Sequence, residues 1–293
     1  MIVSEITSGL GNQMFQYAAG RSLSVKNKTS LFLDIEYFKN TETTEFRTAR
    51  LFELDIFNTK YKISNDKIIK TFYPAGLFYK LFNKVILKSK IYSELDFNFD
   101  KSFFMQKGNI FLKGYRQSEK YFKHIAEFIK EDFKFIKTKS ELTLSVSKDI
   151  SGCNAVSIHI RRGDYVSSPA AASFHGVLRH QYYHEAMLII EKQIDNPVYY
   201  IFSDDNNWVR EYFVKGKQNI KFIDFNNGSD SWQDMFLMSK CKHNIIANSS
   251  FSWWGAWLNE NADKIVIAPK IWFADKQMNS QTNDLYPKGW VDI

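Results

Sequence analysis

The chain has 293 residues, of which 44% are hydrophobic, and it carries a formal net charge of +7 at pH 7. This length and composition predict one large or two medium-sized globular domains with a substantial core. The amino end has neither the basic segment nor the cleavage site of a signal peptide, and no apolar run is long enough to cross a bilayer, so we expect neither a signal peptide nor a membrane-spanning segment.

The cysteines and the uneven charge bear on compartment and partners. Cys153 and Cys241 have no CxxC spacing, which is typical of free thiols in a reducing cytoplasm. Residues 151–293 carry 14 Lys and Arg against 15 Asp and Glu, whereas residues 1–150 carry 25 against 17. The basic excess, much of it in residues 60–139, indicates a solvated face or peripheral contact with an anionic membrane. We expect no nucleic acid partner, because no nucleic-acid motif accompanies the charge.

The first half begins with a strand, a glycine turn and a helix. The strand lies in "MIVSEI", the helix covers about residues 12–25, and a second strand follows in "SLFLD". Beyond Asp34 the pattern is irregular and aromatic until a further strand in "NIFLKGY". The polar stretch "SVSKDISGCN" predicts a boundary near residue 150, which divides the chain into domains 1–150 and 151–293.

The glycine turn "TSGLGNQM" is the first candidate site. Two glycines precede the helix and Asp34 follows about twenty residues later, as in a dinucleotide-binding fingerprint, but Met14 stands at the third glycine position. The turn either lets a ligand approach the backbone and the amides at the helix start, or is merely tight. The candidate ligand-binding residues are Gly9, Gly11, Asn12 and Gln13.

The second half alternates strands and helices. The predicted strands are residues 155–160, 198–202, 220–225, 244–247 and 264–269, and the predicted helices are residues 181–194, 206–214, 232–240 and 251–260. This alternation predicts an α/β fold whose parallel sheet has helices on both faces and binds ligands outside the carboxyl ends of its strands.

The first of these strands runs into two adjacent arginines, in "SIHIRRGDY". Arg161 and Arg162 offer planar, permanently charged donors that suit a phosphate or diphosphate. Successive side chains point to opposite faces, so we expect one arginine at the ligand and the other in a structural role, unless both form only internal salt bridges. Asp164 either pairs with an arginine to fix the loop or acts as a catalytic base.

Polar residues also follow two later strands. Asp204 and Asp205 suggest either a divalent metal or a helix cap. Asn248, Ser249 and Ser250 precede an aromatic helix, a pattern that provides both an N-cap and a cradle for an anion.

Other titratable side chains have open roles. Asp234, within an apolar helical segment, is either a surface residue or an acceptor for a base. His180 and His184 have the spacing of metal ligands but lack the glutamate of a zinc-protease helix, so no metal is expected. A histidine such as His175 can act as a general base near neutral pH.

Three motifs in order, "GLGNQMFQYA", "HIRRGDY" and "NSSFSWWGAWL", resemble the bacterial α-1,2-fucosyltransferases of glycosyltransferase family 11, which use GDP-fucose. With "FSDD" and residues 234–254, the resemblance covers about residues 1–270. It implies a GT-B-like pair of Rossmann-like halves, in which residues 1–150 form the acceptor side and residues 151–293 bind GDP-fucose. It also implies an inverting transfer of L-fucose to the 2-hydroxyl of a terminal galactose, in surface polysaccharide synthesis. It also implies that neither a metal nor a cofactor is required.

The resemblance implies a role for each motif residue. His159 lies at the guanosine, Arg161 on the β-phosphate, and Asp234 accepts hydrogen bonds from the guanine. Asn12 lies near the fucose or phosphate, and Gln13 belongs to the same motif. The diphosphate is lined by Ser249, Ser250 and Ser252, beside Asn248.

The general base is not supplied by the resemblance. Related core-fucosylating enzymes have a glutamate where this chain has Pro169. His175 and Asp164 are the candidates, a reaction with little base assistance is a third alternative, and Asn12 or Gln13 then only orients the acceptor hydroxyl. With no metal, Arg161 and helix N-termini must stabilise the charge that grows on the diphosphate.

Other functions stay open beside this one. They are GDP-fucose transfer to another linkage, an NAD-type oxidoreductase built on the glycine turn and Asp34, and a polyanion-binding module that uses the basic first half. The leading interpretation is a transferase with GDP-fucose and a galactose-terminated glycan as partners, which is either cytoplasmic or held peripherally at the inner membrane face by its basic half.

Overall fold

The computed structural model describes residues 1–40, 42–43, 49–73, 89–167, 169–214 and 219–293, without the side chains of residues 164, 167, 169–171 and 214. The chain forms two compact units. The first consists of Met1–Lys137 and Gln281–Pro287, and the second of Thr138–Ser280 and Lys288–Ile293.

The first unit contains a five-stranded parallel sheet. Its strands are β1 (Ile2–Glu5), β2 (Leu31–Asp34), β3 (Lys62–Ile63), β4 (Ser89–Ser93) and β5 (Asn109–Lys113), in the order β3-β2-β1-β5-β4. Its helices are α1 (Leu10–Lys26), α2 (Asp66–Lys70) and α3 (Ala126–Asp132), with short 3₁₀ turns between them. The strand order reverses between β1 and β5, where sheets of this kind form a crevice at the carboxyl ends of their strands.

The second unit contains a six-stranded parallel sheet. Its strands are β6 (Asn154–Ile160), β7 (Pro197–Ser203), β8 (Ile220–Ile223), β9 (His243–Ile245), β10 (Val266–Ala268) and β11 (Val291–Asp292), in the order β11-β10-β9-β6-β7-β8. Its helices are α4 (Glu141–Ser151), α5 (Gly163–Ser167), α6 (Pro169–His175), α7 (His180–Glu191), α8 (Asn206–Val209), α9 (Trp232–Lys240), α10 (Ser250–Trp257) and α11 (Lys276–Asn279). Here the strand order reverses between β6 and β9.

The central strand β6 is apolar because both of its faces are covered. Val156 and Ile158 pack in a cluster with Tyr183 of α7, and Ala155 packs on the opposite side with Leu237 of α9. Such continuous apolar runs are typical of parallel strands that are buried on both faces. His159 has the same parity as Ala155 along β6, so we assign it to the α9 side of the sheet.

The structure agrees with the sequence predictions best in the second half. All five predicted strands are present, and the predicted helix at residues 206–214 consists of α8 and a π-helical turn, Arg210–Val214. Around residue 150, however, α4 covers most of the stretch predicted as a linker, and Ile150 is buried in the core of the second unit. The first boundary between the two units along the chain therefore lies between Lys137 and Thr138.

Two further sequence predictions concern the cysteines and contact with a membrane. Cys153 and Cys241 are free thiols, and Cys241 is buried. None of the helices in the described ranges has the length and hydropathy of a membrane span. Residues 74–88, within the basic stretch, lie outside the described residues, and peripheral membrane contact stays a prediction.

Candidate functional site

Asp204, directly after β7, holds the turn that follows β6. Its Oδ1 accepts hydrogen bonds from the backbone N–H groups of Arg162 at 2.7 Å and Gly163 at 2.9 Å, and its Oδ2 pairs with Nη1 of Arg161 at 2.6 Å. Burial disfavours the charged carboxylate, but Arg161 and the two N–H groups outweigh this cost and lower the pKa of Asp204. Asp204 thus anchors the arginine motif.

Gly163 is required because this carboxylate lies so close to the backbone. A Cβ at residue 163 would lie 2.8 Å from Oδ2 of Asp204, whereas a Cβ at Gly152 would have its nearest neighbour at 3.5 Å. We expect Gly163→Ala to displace the carboxylate and to lower the free energy of unfolding by about 1–3 kcal/mol. Urea denaturation should show this loss, with Gly152→Ala as the matched control; equal effects of the two substitutions would contradict the anchoring role.

The two arginines have different surroundings. The Nε of Arg162 donates to Asp205 at 3.0 Å, and its guanidinium lies over the ring of Trp208, with 4.4 Å between Cζ and the ring centroid. Asp205 also caps α8, because it accepts from the backbone N–H of Trp208 at 3.1 Å. Arg162 therefore has the structural role expected for one of the pair. The helix-cap interpretation applies to Asp205, whereas Asp204 anchors the turn.

Arg161 lies at the end of a stack of rings that includes His175. Its Cζ is 5.4 Å from the ring centroid of Tyr165, and the Tyr165 and His175 rings are parallel within 4° at 4.4 Å. Phe273 stacks on His175 at 6.1 Å. The orientation of the His175 ring is thus fixed by packing, one ring away from the guanidinium of Arg161. The side chain of Asp164, the other candidate base, lies outside the described residues.

Asn248, which follows β9, forms hydrogen bonds with the residues of this stack and its neighbours. Its Nδ2 donates to the carbonyl oxygens of His175 at 2.8 Å, Gly176 at 3.3 Å and Trp272 at 3.3 Å. Its own carbonyl oxygen accepts from the hydroxyl of Tyr165 at 3.2 Å. The Nδ2 of Asn248 thus positions the stack, whereas its Oδ1 is buried and has no hydrogen-bond partner within the described ranges, so the ligand contact expected for Asn248 stays a prediction.

The helix α10 begins directly after this residue, at the β6/β9 crevice. Ser249 is its N-cap residue, yet its side chain makes no capping hydrogen bond in the described part of the chain. The hydroxyl of Ser252 is used within the turn, since it donates to the carbonyl of Ser249 at 3.3 Å and accepts from the N–H of Ala247 at 3.2 Å. The first N–H groups of α10 have no intrahelical partner, and together with the hydroxyls of Ser249 and Ser250 they suit an anion.

His159 contributes a buried nitrogen to the same crevice. Its side chain lies near Phe251 of α10, with ring centroids 5.6 Å apart. Burial lowers the pKa of His159 to about 4, despite the opposing effect of Asp204, so the imidazole is neutral at pH 7. Its Nδ1 is buried and has no hydrogen-bond partner within the described ranges. An atom of this kind is typical of a site that a ligand completes.

Asp234 lies in the first turn of α9 as a partly buried carboxyl group. Its Oδ1 accepts from Nδ2 of Asn226 at 2.8 Å, and Asn226 accepts from the hydroxyl of Thr143 at 3.2 Å. Burial raises the pKa of Asp234 to about 7, and the hydrogen bond from Asn226 offsets only part of this shift. A carboxyl group that titrates near neutral pH is a candidate ligand-binding group.

In the first unit, Gln13 has a structural role. Its Nε2 donates to the carbonyl oxygens of Ser8 at 2.9 Å and Leu51 at 2.8 Å, and its Oε1 accepts from the N–H of Glu53 at 2.9 Å. The side chain is fully buried, so the direct ligand contact predicted for Gln13 is replaced by anchoring of the glycine turn.

The remaining turn residues differ in their exposure to a ligand. Gly9 is the N-cap of α1 with a φ of −76°, and the space where a Cβ would stand is open, with Nε of Arg50 at 4.0 Å. Gly11 is buried within α1, and the left-handed residue of the turn is Ser8, with a φ of 66°. The Asn12 amide is partly buried and accepts from Nε2 of Gln117 at 2.8 Å. Gly9 and Asn12 are therefore the turn residues that a ligand can approach.

The histidine pair with metal-ligand spacing is packed among aromatic rings. His180 stacks on Tyr212 at 5.8 Å and His184 on Phe213 at 5.7 Å. Within the described ranges, no group of three or more His, Cys, Asp and Glu side chains is placed to hold a metal ion.

Comparison with known proteins identifies sequence relatives over the whole chain. The model of the family "Glycosyl transferase family 11" matches residues 1–293. An Alpha-1,2-colitosyltransferase of Escherichia coli is 37% identical over 100% of this chain and 99% of its own length. The O-antigen biosynthesis glycosyltransferase WbnK of Escherichia coli is 36% identical over 98% of this chain and 99% of its own length. Galactoside alpha-(1,2)-fucosyltransferase 1 of Saimiri boliviensis boliviensis is 29% identical over 55% of this chain and 46% of its own length.

A solved structure shares the fold. A mutant of Arabidopsis thaliana FUT1 in complex with GDP has a TM-score of 0.52 at 11% sequence identity, over 90% of this chain and 69% of that protein. This similarity and the two parallel sheets confirm the predicted α/β, GT-B-like fold class.

Proposed function

Because the chain belongs to glycosyltransferase family 11, we propose that it transfers L-fucose from GDP-β-L-fucose to the 2-hydroxyl of a terminal galactose, with inversion, during synthesis of a surface polysaccharide. The names of its relatives support an α-1,2 linkage and an O-antigen product. Membership in this family replaces the oxidoreductase and polyanion-binding alternatives. The observation that carries the proposal is the grouping of Arg161, His159 and the α10 N-terminus around the β6/β9 crevice.

The proposed fucosyl transfer requires that the protein stabilise the leaving group, GDP. As the bond between the fucose anomeric carbon and the phosphate oxygen breaks, positive charge grows on the sugar and negative charge on the diphosphate. Arg161 supplies a fixed positive charge, and the N–H groups of α10 with the hydroxyls of Ser249 and Ser250 supply further donors. In this proposal the protein stabilises the leaving GDP without a metal ion.

The guanosine is assigned to the groups on the α9 side of the sheet. Asp234 as a carboxylate accepts from the two neighbouring N–H donors of guanine, and His159 uses its unpaired nitrogen on the nucleoside. Asn226 orients Asp234, because it donates to Oδ1 while Thr143 holds its own oxygen. These contacts favour guanine over adenine, which offers no such pair of donors at the same edge.

The acceptor hydroxyl loses its proton during the transfer, and a general base can accept it. His175 stays the proposed general base, since the Tyr165 and Phe273 rings stack on it and fix the orientation of its ring one ring away from Arg161. Gly9 and Asn12 are proposed next to the transferred sugar, and Asp164 stays the second candidate base.

Colitose is the second candidate for the transferred sugar. The Escherichia coli colitosyltransferase is similar over the whole of this chain, and colitose differs from L-fucose only by the missing 3-hydroxyl. A site that hydrogen-bonds this hydroxyl rejects the sugar that lacks it, whereas an apolar site discriminates weakly.

The experiment combines nucleotide binding and product analysis. Calorimetric titration with GDP should give the same dissociation constant with Mg²⁺ and with a chelator. GDP-fucose and GDP-colitose are then compared with a galactoside acceptor, and kcat/KM for GDP-fucose should be higher by about tenfold or more. A 2-linked product identified by NMR supports the linkage. Binding that requires Mg²⁺, or a preference for GDP-colitose, would contradict the corresponding part of the proposal.

A further inference from the structure

The amino ends of the strands in the first sheet carry a row of exposed lysines. Because all five strands are parallel, these ends lie at one edge of the sheet. One exposed lysine belongs to each of four strands: Lys28 before β2, Lys60 before β3, Lys90 as the second residue of β4, and Lys107 before β5. The segments that form this edge contain no Asp or Glu; they are residues 26–30, 59–62, 89–90 and 104–109. We call these four lysines the lysine edge.

The opposite edge of the same sheet has a different charge. There β1 and β2 end on Glu5 and Asp34, and Glu94 follows β4. Lys113, at the end of β5, pairs with Glu5 at 3.4 Å. The glycine turn after β1 also lies at this carboxyl edge, so the lysine edge is on the far side of the sheet from it. The lysines are therefore not placed to serve a ligand of the glycine turn, and their charge needs another explanation.

Lys28 stands at a position that usually belongs to glycine. The helix α1 ends in a Schellman motif, in which the N–H of Lys28 donates to the carbonyl of Val25 at 3.1 Å and the N–H of Thr29 to that of Ser24 at 3.0 Å. Lys28 is the left-handed residue of this motif, with a φ of 50°. A lysine is less stable there than a glycine, so helix termination does not explain it. The motif fixes its backbone and holds one charge of the lysine edge in place.

An exposed apolar side chain lies beside these charges. Nδ2 of Asn27 donates to the carbonyl of Gln106 at 3.0 Å, and Nζ of Lys26 donates to the carbonyl of Phe104 at 2.6 Å. These bonds join the turn after α1 to the turn before β5. Met105, between the two acceptors, is 74% exposed. A flexible apolar side chain among lysines suits the surface of a bilayer, where the lysines contact phosphate headgroups and the apolar group enters the acyl region.

We propose that the lysine edge and Met105 dock the protein on a bilayer that contains anionic phospholipid. Five strands spaced by about 4.8 Å give the edge a length of about 19 Å, along which several headgroups can be contacted at once. Clusters of four or more lysines bind anionic membrane surfaces. The exposed Met105 favours a bilayer over a nucleic acid as the partner. This inference goes beyond the proposed function and does not depend on it.

Charge reversal tests the position of the docking surface. The wild type should sediment with vesicles of phosphatidylcholine and phosphatidylglycerol, but not with phosphatidylcholine alone. The double variant Lys28→Glu/Lys107→Glu should bind the anionic vesicles about thirtyfold more weakly or worse, because each lysine near such a surface contributes about fivefold. Lys148→Glu/Lys192→Glu, at exposed lysines of the second unit, changes the net charge equally and should bind nearly as the wild type. Equal losses in both variants, or no binding by the wild type, would overturn the inference.

Met105→Gln tests whether the partner is a bilayer. This variant should bind the anionic vesicles about fourfold more weakly or worse, the factor for one CH₂ group that no longer enters the bilayer, and its affinity for heparin should not change. Vesicle binding equal to that of the wild type would overturn the bilayer as the partner. Turnover of a soluble galactoside should be the same in all variants, so the vesicle result stands even if GDP-fucose yields no product and the proposed function fails.

Discussion

Arg161→Ala is expected to lower kcat for fucosyl transfer by roughly 10²- to 10³-fold, which is the usual cost of removing one donor that stabilises developing negative charge. GDP affinity should fall as well, but by a smaller factor, because the charge on the diphosphate grows on the way to the transition state. Steady-state kinetics with GDP-fucose and a galactoside gives the first quantity, and calorimetry with GDP gives the second.

Arg210 offers the control for this experiment. It pairs with Asp224, which follows the edge strand β8, and is 58% exposed, so Arg210→Ala removes the same formal charge from a surface pair outside the β6/β9 crevice. This substitution should leave kcat unchanged. A similar fall in both variants would mean that net charge, and not a contact with the leaving group, is responsible. Arg161→Lys separates charge from geometry, since lysine keeps the charge but loses the planar fork.

The anchoring of Arg161 could not be predicted from the motif itself. Strand ends are visible in the sequence, because buried parallel strands are continuous apolar runs such as that of β6. The partner of Arg161, however, is Asp204 on the neighbouring strand, and a sequence pattern does not show which carboxylate crosses from one strand end to the next. Asp164, adjacent in the chain, was one expected partner for an arginine, and its side chain lies outside the described residues; among the carboxylates that the structure describes, Asp204 and Asp205 pair with the two arginines.

A motif also does not separate residues that face a ligand from residues that hold the loop. Gln13 and Asn248 both belong to motifs and were assigned to the ligand. The amide of Gln13 binds backbone groups through both its nitrogen and its oxygen, and Asn248 binds backbone oxygens through Nδ2 but keeps a buried Oδ1 without a partner in the described part of the chain. The first sheet shows the same limit for secondary structure. Both residues of β3 are exposed, and β4 has no alternating apolar pattern, so neither edge strand has the hydrophobic periodicity from which strands are predicted.

Among the described groups of the second unit, His159, Asp204 and Asp234 have pKa values that burial and neighbouring groups shift in different directions. Burial lowers the pKa of His159 to about 4, which keeps the imidazole neutral from pH 5.5 upward. The pKa of Asp204 is lowered, because Arg161 and two N–H groups outweigh the cost of burial, and it stays ionised over the same range. Asp234 differs, since burial raises its pKa to about 7 and its one stabilising hydrogen bond comes from Asn226.

GDP affinity is therefore expected to rise with pH, by about tenfold per pH unit below pH 7, and to level off above it. The sign follows from the proposed contact: guanine donates two hydrogen bonds, which only the ionised carboxylate of Asp234 can accept, so below pH 7 a proton must first leave. Calorimetry from pH 5.5 to 8.5, in buffers of different ionisation enthalpy, measures both the affinity and the proton released on binding.

Asp234→Asn provides the reference for this pH dependence. The amide does not titrate in this range, so the variant should bind GDP weakly and with only the dependence that the nucleotide phosphate contributes, since its second pKa lies near 6. The difference between the two curves is the contribution of Asp234. If the curves are parallel, or if no proton is released from the wild type at pH 6.5, the carboxyl group does not contact the guanine, and its raised pKa reflects burial alone.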